Sequence, residues 1–264
     1  MQVIVTDWSG QTATLNTTWN VAPSNAQPII SAGGIVNGAN WQPGGVASGE
    51  IVTIFGSNLG PAVLQQATVA GNELPRTIAG TTVYFDSTPV PLLYVSQSSV
   101  SAIVTGGATP TSHVEIATNG GISSPLDVPV ANAAPGIFTY PNSQQAAAFN
   151  QDFSFNIDTP AARGTYISLY VTGLTGFLDP YGNLDFGAIP PSNPYLVSNW
   201  VQVQFGNDPP IQASFAGLTF PGVAQVNALI NSNAPTGDAV PVRVIATPPS
   251  QPSITSPAAT LRIK

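Results

Sequence analysis

Cysteine is absent from the 264 residues, which excludes disulfides, thiol nucleophiles and cysteine metal sites. Charge is scarce as well: Asp, Glu, Lys and Arg make up 6% of the chain, against roughly 25% in an ordinary soluble protein. Lys264 is the one lysine, His113 the one histidine, and the arginines are Arg76, Arg163, Arg243 and Arg262. With a net charge of −7 the chain cannot assemble a basic stripe for phosphate. Nucleic acid is therefore excluded as a partner, and so is an anionic membrane surface. No apolar run approaches the roughly 20 residues of a membrane-spanning helix, so membrane insertion is not expected. The start, MQVIVTDWSG, lacks the basic and apolar segments of a signal peptide, and none is expected within this chain.

What is present is polar without being charged. Ser, Thr, Asn and Gln carry the polarity, while 43% hydrophobic residues suffice to fill a core. The 25 glycines and 26 prolines punctuate short runs rich in β-branched and aromatic residues, the pattern of an all-β protein with many turns. IVTIF and YISLYV are such runs. VYFDSTPVPLLYV reads as two strands around a turn at Asp86-Ser87-Thr88-Pro89, and HVEIATNGGISSPLDVPV as a hairpin with Asn119-Gly120-Gly121 at its tip. One segment, PAVLQQA (Pro61 to Ala67), reads as a turn or two of helix. This composition points to an extracellular or cell-surface setting.

The chain repeats itself. GEIVTIFGSNLGP, from Gly49, is answered by GTYISLYVTGLTG, from Gly164. TTVYFDSTPVP is answered by VQVQFGNDPPI, SSVSAIV by AQVNALI, and HVEIATNGGISSP by VPVRVIATPPSQP. The order is kept, and the offset drifts from 115 (Gly49 to Gly164) to 127 (His113 to Val240), as loop insertions in the second copy require. Seven or so strands per copy imply two tandem immunoglobulin-like β-sandwiches, residues 29–131 and 132–264. ANAAPG (Ala131 to Gly136) links them. QQAAAFNQDFSFN (Gln144 to Asn156) forms an extra hairpin-like segment in the second.

Residues 1–28 fit neither copy. They read as an N-terminal β-hairpin turning at Trp8-Ser9-Gly10, then a linker. Val3 and Val5 share one face; Ala13, Leu15, Trp19 and Val21 share another. A lone hairpin is marginal in water and must pack on something. It packs on this chain, or ends an upstream domain, or completes a sheet in a neighbouring molecule.

Family likeness enters with particular phrases. GEIVTIFGSNLGP is similar to the opening of IPT/TIG domains, an immunoglobulin-like family. Over residues 30–264 the phrases PLLYVS, NAAPGIFT, QAAAFNQD, TPAARG, QVNALI and AVPVRV, in this order, resemble the Solibacter-type C-terminal domain. That two-part module stands at the ends of large exported proteins, mostly of Acidobacteria. The resemblance implies a tandem sandwich on an exported protein and lends no catalytic residue. This chain has Phe153 where the family usually has Gly after NQD, and its TGLTGFLDPYGNLDFGAIP loop is individual.

Candidate chemistry is sparse. A serine triad would have to be built on His113, which opens a strand with no G-x-S-x-G elbow nearby. Glu50 and Glu73 are too isolated to pair as glycosidase carboxylates. No catalytic residue and no cofactor are expected, and one histidine without cysteine leaves no zinc set. Asp179, Asn183 and Asp185 offer hard oxygen ligands for calcium, but their spacing is that of an ordinary turn, and a plain loop is the reading adopted. Trp8, Trp19, Trp41 and Trp200 offer either a carbohydrate-stacking face or core and interdomain packing, and packing is the reading adopted. Edge strands are usually guarded by charge, which this chain lacks. The expectation is a non-enzymatic extracellular structural protein: a fibre or filament subunit, or an adhesin stalk. It assembles by self-association or with neighbouring immunoglobulin-like domains, with Val3, Val5, Ala13, Leu15, Trp19 and Val21 as interface. The alternative is a C-terminal binding or anchoring module of a larger exported protein, with a surface glycan as partner.

Overall fold

The computed structural model describes residues 2–6, 9–16, 26–106, 110–174, 186–190 and 200–264. Among these the regular elements are all strands. Four five-stranded antiparallel sheets form two sandwiches with separate hydrophobic cores, one drawn from Ile35 to Val128 and the other from Ala133 to Ile263. The cause is the alternation of side chains. In Val201–Phe205, Val201, Val203 and Phe205 turn inward and are buried while the glutamines between them are not. Each such side chain contributes about 1.5–3 kcal/mol on burial.

The repeat read in the sequence is a repeat of topology. In the first copy Ile51–Ser57 lies between Ile29–Asn37 and Ser99–Ile103, and Leu92–Val95 follows. In the second copy Tyr166–Thr172 lies beside Gly136–Ile137 and Val223–Leu229, and Phe215–Phe220 follows. The opposite sheets are built around Thr111–Thr118 paired with Thr82–Phe85, and around Gly237–Ala246 paired with Val201–Phe205. Turn chemistry is as expected at Asp86-Ser87. Phe85 pairs with Thr88, and the two residues between have φ of 47° and 67°, a two-residue hairpin turn with both central residues left-handed.

Two expectations change. Pro61 to Ala67 is not helical: Gln65–Gln66 pairs with Tyr94 and Val95 as an edge strand, because an open sheet edge satisfies its backbone more fully than one isolated helical turn. In the N-terminal hairpin, Gln2–Thr6 pairs with Thr12–Asn16, with Val3 opposite Leu15 and Val5 opposite Ala13. Directly opposed positions share a side of the sheet, so Val3, Val5, Ala13 and Leu15 fall in one set and not two. Trp8, Trp19 and Val21 lie outside the described residues.

The second copy departs from the first in its outer strand. In the first copy Ile29–Asn37 runs along the sheet edge with an irregularity between Ile30 and Ile35. In the second, the same edge is covered by Gly136–Ile137 and Ala148–Asn150, and residues 138–147 stand where the first copy has 31–34. That insertion is folded back by a bridge between Thr139 and Ala146.

Candidate functional site at the domain junction

The junction is built from the opening strand of the first copy. Glu50 is 1% exposed. Its Oε1 accepts a hydrogen bond from Asn37 Nδ2 at 2.8 Å, and its Oε2 one from the backbone N–H of Ala47 at 2.8 Å. Burial pushes its carboxyl up to about 8, against these two hydrogen bonds, which pull it down. Asn37 Nδ2 also donates to the carbonyl of Ala134 at 3.0 Å, tying the first copy to the linker. The adjoining cleft of about 250 Å³ has mainly apolar walls, including Ile35, Pro43, Pro135, Ile254 and Pro257.

One residue along, the N–H of Ile51 donates to Thr172 Oγ1 at 2.7 Å, and that hydroxyl donates to the carbonyl of Gly222 at 2.8 Å. Ile51, Leu74 and Ile103 form a small apolar cluster with Phe138, Phe186 and Val223 of the second copy. Close approach demands glycine here. A Cβ on Gly136 would lie 2.2 Å from Asn37 Oδ1, and one on Gly173 would lie 1.9 Å from the carbonyl oxygen of Ala134.

A further tie comes from the second copy's individual loop. Leu74 N donates to Gly187 O at 2.9 Å and Ile189 N to Asn72 O at 2.8 Å. Glu73 pairs with Ala188 as an antiparallel bridge. Glu50 and Glu73 therefore both serve the junction, a role their sequence isolation did not signal.

Beside the junction lies a second cleft of about 460 Å³, lined by Trp41 of the first copy and by Thr139, Tyr140, Asn142, Ser143 and Gln144 of the second copy's insertion. Trp41 is 54% exposed, not packed as expected, and its φ is 61°. Its ring stands 6.2 Å from that of Phe55. Trp200, by contrast, packs against the second core.

The remaining candidates are not brought together as a reaction centre. His113 Nδ1 lies 2.6 Å from Asp127 Oδ1 on an exposed face, and this bond raises the imidazole above its ordinary value. Ser112 is fully buried on the other face of the strand and donates to Asp86 Oδ2 at 2.9 Å, so serine and histidine point apart and form no triad. Among the described residues no group of three or more His, Asp or Glu could hold a metal ion. Asp179, Asn183 and Asp185 lie outside the described residues, and the side chains of Val3, Val5, Ala13 and Leu15 are likewise not described.

The fold is thus that of two immunoglobulin-like sandwiches in tandem. Residues 41–130 match the family model of the IPT/TIG domain, which gives the first copy an immunoglobulin-like family. No curated protein matches the chain. Among solved structures it is similar to the Gamma-CGTase of the alkalophilic Bacillus clarkii, at 11% identity and TM-score 0.29, covering 98% of this chain and 30% of that one. It is also similar to a surface glycan-binding protein of Prevotella bryantii, at 11% identity and TM-score 0.27, covering 89% and 42%. The surface layer protein SbsC, domains 4–9, matches at 14% identity and TM-score 0.26, covering 98% and 34%. The chain spans less than half the length of each. At these scores the likenesses lend it neither reaction nor ligand.

Proposed function

We propose that the chain is a structural module of an exported surface protein, a fibre or stalk segment in which immunoglobulin-like domains (29–131 and 132–264) follow one another end to end. Its resemblance to the Solibacter-type module agrees with that setting. One observation carries the reading. In the first copy Ile51 and Ile103 are directly paired across two strands and buried at the junction. The second copy has Tyr166 and Leu229 at the same register positions, also directly paired, and they are 43% and 40% exposed. An apolar pair that docks in one copy stands uncovered in the other, which suits a further unit.

The N-terminal hairpin suits the role of that unit. Its two strands pair only with each other among the described strands, and a two-stranded sheet needs a partner. Val3, Val5, Ala13, Leu15, Trp19 and Val21 would supply the contact from a neighbouring molecule. Sedimentation and electron microscopy of the whole chain test this. Concentration-dependent linear assemblies are expected, and they should be lost both on deleting residues 1–21 and in Tyr166→Asp/Leu229→Asp. A chain that stays monomeric at high concentration, or assembles unchanged after either alteration, sinks the reading.

A further inference from the structure

Trp41 and Phe153 occupy the same place in the two copies. Asn37 N donates to Gln42 O, and Trp41 N donates back to Asn37 O; Asn150 N donates to Ser154 O, and Phe153 N donates back to Asn150 O. Asn37 pairs with Val52 and Asn150 with Ile167, equivalent positions of the opening strands. Both aromatics are left-handed, with φ of 61° and 66°, and both are exposed. Glycine is the residue such a turn prefers, and a bulky side chain there carries backbone strain. Neither ring repays that strain by deep burial: Phe153 is 84% exposed. Strain without burial points to a role outside the fold.

The two differ in what they face. The loop opposite Trp41 is the insertion that the first copy lacks. It is held in shape by Tyr140 N donating to Gln145 O at 3.0 Å, Ser143 N to Tyr140 O at 3.2 Å and Gln145 N to Ser143 Oγ at 2.9 Å. Its base is fastened to the last strand, where Ala146 N donates to Thr260 O and Thr260 N to Gln144 O, at 2.9 and 2.8 Å. The loop residues that line the cleft with Trp41 are Asn142 and Gln144, which carry amides, Thr139 and Ser143, which carry hydroxyls, and Tyr140, which carries a phenol. None is charged.

We propose that this cleft is a binding site for a neutral oligosaccharide, with Trp41 as the stacking platform and the loop 139–144 as the hydrogen-bonding wall. A pyranose ring presents an axial C–H face, weakly positive, which suits the negative face of the indole. Its rim of hydroxyls both donates and accepts, as amides and hydroxyls do. An anionic sugar finds no cation among the lining residues. The cleft, at about 460 Å³, falls in the range of small-molecule sites and lies where such sites recur, between domains. This activity is independent of end-to-end assembly and can fail or stand without it.

The test is calorimetric titration of the whole chain with cellohexaose, xylohexaose and mannohexaose, and with oligogalacturonate as the acidic comparison. At least one neutral hexasaccharide should bind at about 1 mM or below, and the acidic one should not. Trp41→Gly removes the ring while relieving the left-handed strain, so the variant should fold with an unchanged or raised Tm. Its affinity should fall about tenfold or more. Phe153→Gly relieves the same strain away from the cleft and should bind as the parent does. Absence of binding by all three neutral sugars, equal binding of oligogalacturonate, full affinity in Trp41→Gly, or an equal loss in Phe153→Gly would each overturn the assignment.

Discussion

The two copies share a topology and differ in what their opening strand does at its two ends. In the first copy the strand begins at a buried carboxylate and a buried isoleucine. In the second the equivalent residues are Thr165, whose hydroxyl only closes a local turn onto Ala162 O at 2.6 Å, and the exposed Tyr166. At the other end the relation reverses. Asn58 is left-handed, with φ 58°, and its side chain donates to Gln27 O at 3.3 Å. Its counterpart Gly173, with φ 75°, is pressed against Ala134. The sandwich itself tolerates either residue type at each place. The junction is what makes one of each pair obligatory.

Exchanging residues between the copies should break this comparison most severely at Gly173. Gly173→Asn keeps a residue that accepts left-handed backbone, but its Cβ meets the linker carbonyl. Thermal unfolding should register a loss of more than about 3 kcal/mol, while Asn58→Gly costs about 1 kcal/mol or less. Next in size is Ile51→Ala, which opens the shared cluster and should cost about 2–4 kcal/mol. Tyr166→Ala, at the same place in the other copy, should cost less than about 1 kcal/mol. Equal losses would mean that the junction is not what buries Ile51.

Glu50 gives a smaller effect with a pH signature. Both carboxyl oxygens accept from N–H groups, and an amide can accept with only one end. Glu50→Gln should therefore cost about 1–3 kcal/mol at neutral pH. The folded carboxyl holds its proton up to about 8 and the unfolded one releases it near 4.5. Between those values the folded state binds more protons than the unfolded state. Stability is accordingly full below about 4.5, declines as pH rises, and levels off beyond about 8. Denaturant unfolding across that range should show the decline in the parent and a shallower one in Glu50→Gln, where the exposed His113, also raised, is left to contribute. The smallest change is Phe153→Gly, which should be neutral or stabilising by up to about 1 kcal/mol, since an 84% exposed ring offers little burial to lose.

The sandwiches were legible because a strand repeats its chemistry every second residue, and because turn glycines, asparagines and prolines punctuate it. The paired phrases carried the topology for the same reason. The junction was not legible. Glu50 is an isolated glutamate in the sequence, and it is tertiary packing, beside Asn37 and the linker that Asn37 holds, that buries it. Trp41 looked like packing because tryptophan usually is. The signal that separates it from Trp200 is its position in a left-handed turn, and the equivalent Phe153, standing where glycine is usual, carried the same signal. Pro61 to Ala67 failed for a different reason: a short apolar run fits a helical turn or an edge strand equally, and the neighbouring edge decided.

Few of the contacts that join the two sandwiches depend on unlike charges. Asn37 to Ala134, Ile51 to Thr172, and the backbone bridge of residues 72–74 with 187–189 are neutral hydrogen bonds. Glu50, whose carboxyl burial pushes up to about 8, is held by N–H donors of Asn37 and Ala47. Dissolved salt weakens attractions between exposed ions over about 10 Å at 0.1 M, but it has little hold on ties of this kind. The angle between the sandwiches should therefore be the same in fresh water as in brine, a useful property for the exported module proposed above, which could not choose its ionic surroundings.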